Sequence, residues 1–218
     1  MIARLILAIV TIALSPSVTA FAGPHRPSVI VRGEVDVDRD GVADTITIES
    51  EDAERIRDRE PCASCGDRIH GHFAAVVKLS GSHRTVRTPV ALHPAIGDTM
   101  WFWYAPPGQL AVGDYNCDGH PDFNLGQFTN SIKWEYGLFT VFEDGHVEQF
   151  AVDRPEIYVS PGGKPSSHDI KPIPCGFEFR DYGNAGDSPG WWVFSCRWHS
   201  VDRSFTCNGK PEIPKPQW

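Results

Sequence analysis

Long apolar runs and basic charge are both scarce in this chain of 218 residues. After the first 14 residues no segment is long and apolar enough to cross a bilayer, which needs about 20 such residues. Lysine and arginine number 20 against 28 aspartates and glutamates, and the formal net charge is −8. This balance disfavours nucleic acid and anionic membranes as partners, and it suits a metal cation or a basic protein.

Local catalytic signatures are missing too. The chain has nine histidines, but none stands beside a serine nucleophile elbow or in an H-E-x-x-H pattern. The carboxylates outside two aspartate-rich segments form no pair whose spacing implies acid–base chemistry. We therefore do not expect an enzyme, although a site assembled from distant residues would leave no such local pattern.

Helical periodicity is nearly absent. Short β-branched and aromatic runs alternate with Gly, Pro, Asn and Asp, which is typical of an antiparallel β-sandwich or a barrel-like domain. We predict one such domain over residues 23–210 and an extended tail with three prolines over 211–218. Ser80-Gly81-Ser82 and Glu143-Asp144-Gly145-His146 are predicted hairpin turns. The charged segment 51–59 has no apolar stripe and is predicted to be a turn of helix or a loop.

The one long apolar run lies at the N-terminus. Arg4 precedes the apolar segment 5–14, and Ala20-Phe21-Ala22 is an A-x-A cleavage signature. Because the run is too short for a stable spanning helix, we interpret residues 1–22 as a cleaved secretory signal, with an uncleaved anchor as the alternative. The expected location is periplasmic or secreted, with no membrane attachment after cleavage.

The cysteines support export. Their number is even, and an exported protein meets an oxidising compartment, so we predict three disulfides without choosing among the 15 pairings that are possible. The last three cysteines lie close in sequence, which favours local bridging among them. A zinc site formed by the C-x-x-C pair with His70 and His72 is the alternative that we favour less. The six candidates are Cys62, Cys65, Cys117, Cys175, Cys196 and Cys207.

Two segments share one pattern of aspartates. Residues 36–44 read D-x-D-x-D-G-x-x-D, and residues 114–122 read D-x-N-x-D-G-x-x-D. Calcium takes about six to eight oxygen ligands, and carboxylates at alternate positions wrap it in a tight loop. Gly41 and Gly119, at position six, permit a sharp turn at positive φ. The predicted ligands, with position seven contributing its backbone carbonyl, are Asp36, Asp38, Asp40, Val42 and Asp44 in the first loop, and Asp114, Asn116, Asp118, His120 and Asp122 in the second.

These loops are not EF-hands. An EF-hand has a glutamate at position twelve, where Thr47 and Leu125 stand here, and its flanks are helices rather than strands. The alternative is a metal-free Asp/Gly turn, which is common in hairpins. Because the pattern occurs twice, we predict two Ca²⁺ ions. The second loop has one carboxylate fewer and carries Cys117, so it is expected to be the weaker site.

The chain is rich in tryptophan and phenylalanine. These side chains fit a β core, and the alternative is an exposed platform for carbohydrate or protein. We expect most of them in the core. Alternation along Trp101-Phe102-Trp103-Tyr104 predicts two rings inside and two outside.

The second loop also suggests a family. Segment 113–124 (G-D-Y-N-C-D-G-H-P-D-F-N), continued by Tyr136-Gly137-Leu138-Phe139, resembles the calcium-loop core of bacterial periplasmic proteins related to the Xanthomonas type IV secretion immunity protein. Those proteins are similar in fold to PliI-like lysozyme inhibitors. A lysine-containing segment follows in the family, and residues 168–171 (H-D-I-K) match it loosely. The resemblance covers about residues 110–200.

This resemblance implies a binding protein that inhibits a cell-wall glycoside hydrolase by plugging its cleft with a protruding loop. Ser80-Gly81-Ser82 is the candidate inhibitory loop, and the acidic chain suits a basic hydrolase. The alternative is a calcium-dependent carbohydrate-binding or adhesion module of the FG-GAP type, because FG-GAP repeats share the loop. A complete propeller needs at least about four blades, and only two loops are present.

Overall fold

The computed structural model describes residues 27–57, 67–92, 97–129, 134–154, 156–159, 170–184 and 189–212. Within these ranges the regular structure is all β, as predicted, and no described helix is long and apolar enough to cross a membrane. The strands are β1 Ser28–Val35, β2 Asp44–Ser50, β3 Glu54–Arg57, β4 Asp67–Leu79, β5 Arg84–Val90, β6 Thr99–Trp103, β7 Gly108–Gln109, β8 Val112–Gly113, β9 Asp122–Phe128, β10 Trp134–Val141, β11 Val147–Gln149, β12 Ala151–Val152, β13 Ile157–Val159, β14 Lys171–Ile173, β15 Gly176–Asn184, β16 Pro189–His199 and β17 Ser204–Pro211.

The first of three open sheets is organised around the long strand β4. Its order is β3-β4-β2-β1-β7, and β5 and β6 also pair with β4. The C-terminal half of β4 pairs with β2 and β5, and its N-terminal half pairs with β3 and β6. Gly71 lies between the halves, where a Cβ would come within 2.8 Å of the Ala53 backbone. A glycine there permits the close approach of the segment that precedes β3.

The prediction of a helical turn or loop over residues 51–59 is wrong for Glu54–Arg57. These residues form β3, which pairs antiparallel with Asp67–His70 of β4. Arg55 forms an ion pair with Asp67 and also stacks on the ring of Tyr104 at 3.7 Å. Long-range pairing therefore stabilises a strand that has no apolar alternation of its own.

The second sheet is buried on both faces. Its order is β11-β10-β9-β8, with β13 also paired to β10, and every residue of β9 and β10 is buried. Because side chains alternate along a strand, one face packs into a first core with the first sheet and the other into a second core with the third sheet. The first core takes Phe123, Leu125, Phe139 and Val141, and the second takes Phe128, Trp134, Tyr136 and Leu138.

The third sheet has the order β12-β17-β16-β15-β14 and carries both disulfides of the described residues. Cys196 and Cys207 are directly opposite each other on β16 and β17, so the predicted local bridge is present. Cys175, in the turn between β14 and β15, instead bonds to Cys117 in the second aspartate loop. Cys62 and Cys65 lie outside the described residues.

Both predicted hairpins are confirmed. The turn with Ser80-Gly81-Ser82 joins β4 to β5, and the turn with Asp144 and Gly145 joins β10 to β11. Gly145 has a φ of 84°, the left-handed conformation for which glycine is suited. The predicted signal over residues 1–22, the segment 160–169 and the tail from residue 213 lie outside the described residues.

Candidate metal-binding loops

Each aspartate loop joins two antiparallel strands in the same register. The first follows β1 and ends where Val35 pairs with Asp44, the first residue of β2. The second follows β8 and ends where Gly113 pairs with Asp122, the first residue of β9. The predicted flanking strands are therefore present, and position nine of each loop is fixed by sheet pairing.

The two loops also share one backbone conformation. Arg39 and Cys117, at position four, both have a φ of 59°, and Gly41 and Gly119, at position six, have φ values of 86° and 83°. Positive φ at the glycines was expected from the pattern. Positive φ at position four was not expected, because arginine and cysteine rarely adopt it.

A common hydrogen-bond network accompanies this conformation. The position-six N–H donates to the position-one carboxylate at 3.0 Å in each loop, from Gly41 to Asp36 and from Gly119 to Asp114. The position-seven N–H donates to position five at 2.8 Å in each. At position five, the N–H of Asp40 donates to Asp38 and that of Asp118 donates to Asn116, both at position three. At position two, the N–H of Val37 donates to Asp44 and that of Tyr115 donates to Asp122, both at position nine. The side chains at the four predicted ligand positions other than position seven therefore face the backbone of their own loop.

Three carboxylates converge in the first loop. Oxygens of Asp36, Asp38 and Asp40 lie within 4.8 Å of one another. Desolvation and the neighbouring charge of Asp40 raise the pKa of Asp38. The Oδ1 atom of Asp36 is buried and has no hydrogen-bond partner. An anionic oxygen in that position has lost water without gaining a donor, which is unfavourable unless a cation binds it.

The second loop replaces one carboxylate by an amide. The Asn116 Nδ2 donates to Asp118 Oδ2 at 2.7 Å, and the Asn116 Oδ1 accepts from the Asp118 N–H at 3.1 Å. Asp114 accepts from the backbone of both Asp118 and Gly119. This loop thus relieves its own charge repulsion in part, in keeping with the expectation that it is the weaker cation site.

The position-nine aspartates are fully buried. Asp44 accepts from the Val37 N–H at 2.8 Å and from the Ser80 N–H at 2.7 Å. Asp122 accepts from the Tyr115 N–H at 2.7 Å. Burial raises the pKa of Asp122 to about 7, against the lowering effect of the Thr140 hydroxyl and the Tyr115 N–H. Both side chains therefore hold the loop backbone to the start of a strand.

The Ser80-Gly81-Ser82 turn is exposed at Gly81 and Ser82, but it is docked on the first loop. The Ser80 hydroxyl donates to the Ala43 carbonyl at 2.8 Å, in addition to the backbone contact with Asp44. A Cβ on Gly81 would lie 1.7 Å from Asp40 Oδ2. The turn and the loop therefore form one packed unit.

The two loops are neighbours. The guanidinium of Arg39 lies 3.5 Å from the Glu143 carboxylate, in the turn between β10 and β11. The same guanidinium lies 3.3 Å from where a Cβ on Gly119 would be. Arg39 thus reaches from position four of the first loop to position six of the second.

No protein-family model, curated protein or solved structure matches this chain. The family resemblance suggested by the second loop therefore stays a prediction, and the function has to be argued from the geometry of the described residues.

One histidine is surrounded by carboxylates away from the loops. The Nδ1 of His72 lies 2.6 Å from Asp52, and its Nε2 lies 3.1 Å from Asp98. Hydrogen bonding to Asp52 raises the pKa of His72, and it lowers the pKa of Asp52 to about 2. Because a carboxylate engages each ring nitrogen, this cluster fastens the segment before β3 to β4 and leaves neither nitrogen free as a general base.

Proposed function

We propose that the protein is an exported calcium-binding protein that holds one ion in each aspartate loop. The observation that carries this proposal is the recurrence of one backbone conformation and one hydrogen-bond network in two loops that are 78 residues apart in sequence. In the first loop that network leaves three carboxylates converging within 4.8 Å. A bare turn needs no such convergence, because like charges at this distance repel.

The residues present fit calcium. The donors are carboxylate, amide and carbonyl oxygens, which a hard cation prefers, and the buried Oδ1 of Asp36 lacks any other partner. Calcium would supply positive charge that offsets the repulsion among these carboxylates. The residues that would hold it are those predicted from the two patterns, with Val42 and His120 contributing carbonyl oxygens.

The proposed role of the ions is structural. Each loop ends on a buried aspartate that begins a strand, and Asp44 also holds the turn after β4. We propose that the three sheets stack as a β-sandwich whose loop end is fastened by two ions. Among the described residues, one disulfide joins β16 to β17 and another joins the third sheet to the second loop, which suits a protein that works outside the cytoplasm.

Calorimetric titration with calcium tests the proposal. We expect two ions per chain in the unmodified protein and one in each of Asp40→Ala and Asp118→Ala. Asp202→Ala, at an exposed aspartate between β16 and β17, is the control and should keep both ions. Absence of binding in the unmodified protein, or an unchanged stoichiometry in both loop variants, would contradict the proposal.

A more specific role as an inhibitor of a cell-wall glycoside hydrolase is supported by the family resemblance and by the net charge of −8. The docking of the Ser80-Gly81-Ser82 turn on the first loop would make it a rigid tip, and rigidity lowers the entropic cost of binding. Inhibition assays with a panel of lysozymes test this role. Inhibition that is weakened at least about tenfold by Ser82→Arg would support it, and no inhibition across the panel would contradict it.

A further inference from the structure

A cavity of about 410 Å³ lies between the second aspartate loop and the third sheet. Asn116 and Asp118 of the loop line it, together with the half-buried indole of Trp198 near the end of β16. Phe150 packs edge-on against Trp198, with ring centroids 5.3 Å apart. The cavity therefore combines a metal-loop wall with an aromatic wall.

Covalent and backbone bonds hold these walls together. Cys117 of the loop bonds to Cys175, and the carbonyl of Cys175 accepts a hydrogen bond from the backbone N–H of Trp198 at 3.0 Å. The loop and the backbone that carries the indole are thus linked through a single residue. A site preorganised in this way loses little entropy when a ligand binds.

The remaining lining is polar and mixed in character. It includes Glu148 and Gln149 of β11, and Ser200 and Arg203 of the turn after β16. With calcium held by Asp118, the charged side chains left to a ligand are the Glu148 carboxylate and the Arg203 guanidinium, one of each sign, so the lining favours neither an anionic nor a cationic ligand. A wholly apolar ligand would desolvate these charges without replacing their hydrogen bonds.

A second cavity, of about 520 Å³, adjoins the first and shares Phe142 and Glu148 with it. The ring of Phe142 stacks with that of His146 at an interplanar angle of 15°, and His120 packs on Phe142 at 6.0 Å. Aromatic rings thus continue along both cavities. The two cavities together form a groove of about 410 and 520 Å³ in volume, lined by aromatic side chains in both parts.

We propose that this groove binds a short neutral oligosaccharide. A sugar ring presents an apolar C–H face that suits Trp198 and Phe142, and a rim of hydroxyls that suits the carboxylates, amides and guanidinium. This inference goes beyond the calcium proposal, and it rests on that proposal only through the second-loop ion. That ion would hold Asn116 and Asp118 in position, so saccharide binding depends on calcium.

Isothermal titration calorimetry with four neutral tetrasaccharides, derived from cellulose, chitin, xylan and starch, tests the inference. We expect at least one to bind in calcium, and to bind about tenfold more weakly to Glu148→Gln, because a hydrogen bond to a charged group is lost. Ser200→Tyr, at an exposed position that needs no repacking, should block the cavity and abolish binding. Glu34→Gln is the matched control, because its side chain is 61% exposed against 53% for Glu148.

The outcomes separate the two proposals. If no tetrasaccharide binds, or if Glu148→Gln and Ser200→Tyr bind as the unmodified protein does, the oligosaccharide inference is wrong, whatever the calcium titration shows. If binding persists in chelator at unchanged affinity, the calcium dependence of the groove is wrong while the saccharide site stands. A protein that binds two calcium ions and no saccharide keeps the proposed function and loses only this inference.

Discussion

Gly81 lies where the hairpin between β4 and β5 touches the first aspartate loop. Since a Cβ there would lie 1.7 Å from Asp40 Oδ2, Gly81→Ala must displace that carboxylate. Because Asp40 is exposed and can turn away, we expect the substitution to change the free energy of unfolding without calcium by less than about 0.5 kcal/mol, and to weaken calcium binding in the first loop. Urea unfolding and calcium titration check this, with the exposed neighbour Ser82→Ala as the control. Equal behaviour of the two variants would contradict the docked arrangement.

His72 and Asp52 make a contact whose contribution to the free energy of unfolding depends on pH. The pKa of His72 is raised above its ordinary 6.5, so its contribution is complete below about pH 6.5 and is lost as pH rises through the folded-state pKa. The pKa of Asp52 is lowered from 3.8 to about 2, so its contribution is complete above pH 3.8 and is lost as pH falls towards 2. The contact therefore stabilises most between about pH 4 and 6.5.

Asp52→Asn tests this pH window. We expect the difference in unfolding free energy between the unmodified protein and the variant to be largest between about pH 4 and 6.5, and to shrink on both sides. Urea unfolding measured across pH checks it, with Asp202→Asn as a control that should show no such dependence. A difference that is constant across pH would contradict the assigned contact.

At the scale of whole elements, the two loops are linked by Arg39. Its contact with Glu143 is exposed, so Arg39→Ala should change the unfolding free energy by less than about 1 kcal/mol. The guanidinium lies against the second loop, where it would repel a bound cation. Because the repulsion between a nearby guanidinium and a divalent cation in water is on the order of 1 kcal/mol, its removal should raise calcium affinity about two- to fivefold at low salt, and less at high salt.

Calcium titration of Arg39→Ala at two salt concentrations measures this effect. Arg180→Ala is the control, because Arg180 also forms an exposed ion pair, with Glu212 in the third sheet. Lower affinity in Arg39→Ala would show that Arg39 acts mainly as a structural link between the loops and would contradict the electrostatic prediction.

An element can be predicted from sequence when neighbouring residues determine it, and cannot when its conformation depends on pairing with a distant segment. The turns at Ser80-Gly81-Ser82 and at Asp144-Gly145 follow from turn residues between alternating runs, and the glycine conformation at Gly41 and Gly119 follows from the loop pattern. The strand Glu54–Arg57 exists because β4 pairs with it, and no local pattern records that pairing. Cys117 and Cys175 are 58 residues apart, so their bond, and the cavity that it borders, arise only from tertiary structure.

At the scale of the molecule, the second sheet joins two cores. Leu125 lies in the first core and Leu138 in the second, and both are fully buried on adjacent strands. We expect Leu125→Ala and Leu138→Ala each to lower the unfolding free energy by about 2–5 kcal/mol. Because β9 and β10 serve both cores, each variant should still unfold in one transition. Separate transitions by fluorescence and circular dichroism would show that the cores unfold independently.

Thermal unfolding in calcium and in chelator, for the unmodified protein, Asp40→Ala and Asp118→Ala, tests most directly whether two calcium ions fasten the loop end of this fold. With free calcium about 100-fold above Kd, each occupied site adds about 2.7 kcal/mol to the free energy of unfolding. This raises the Tm by roughly 5–10 °C per site. We expect calcium to raise the Tm of the unmodified protein most, and each variant to lose part of that rise. A Tm that is the same in calcium and in chelator would contradict this expectation.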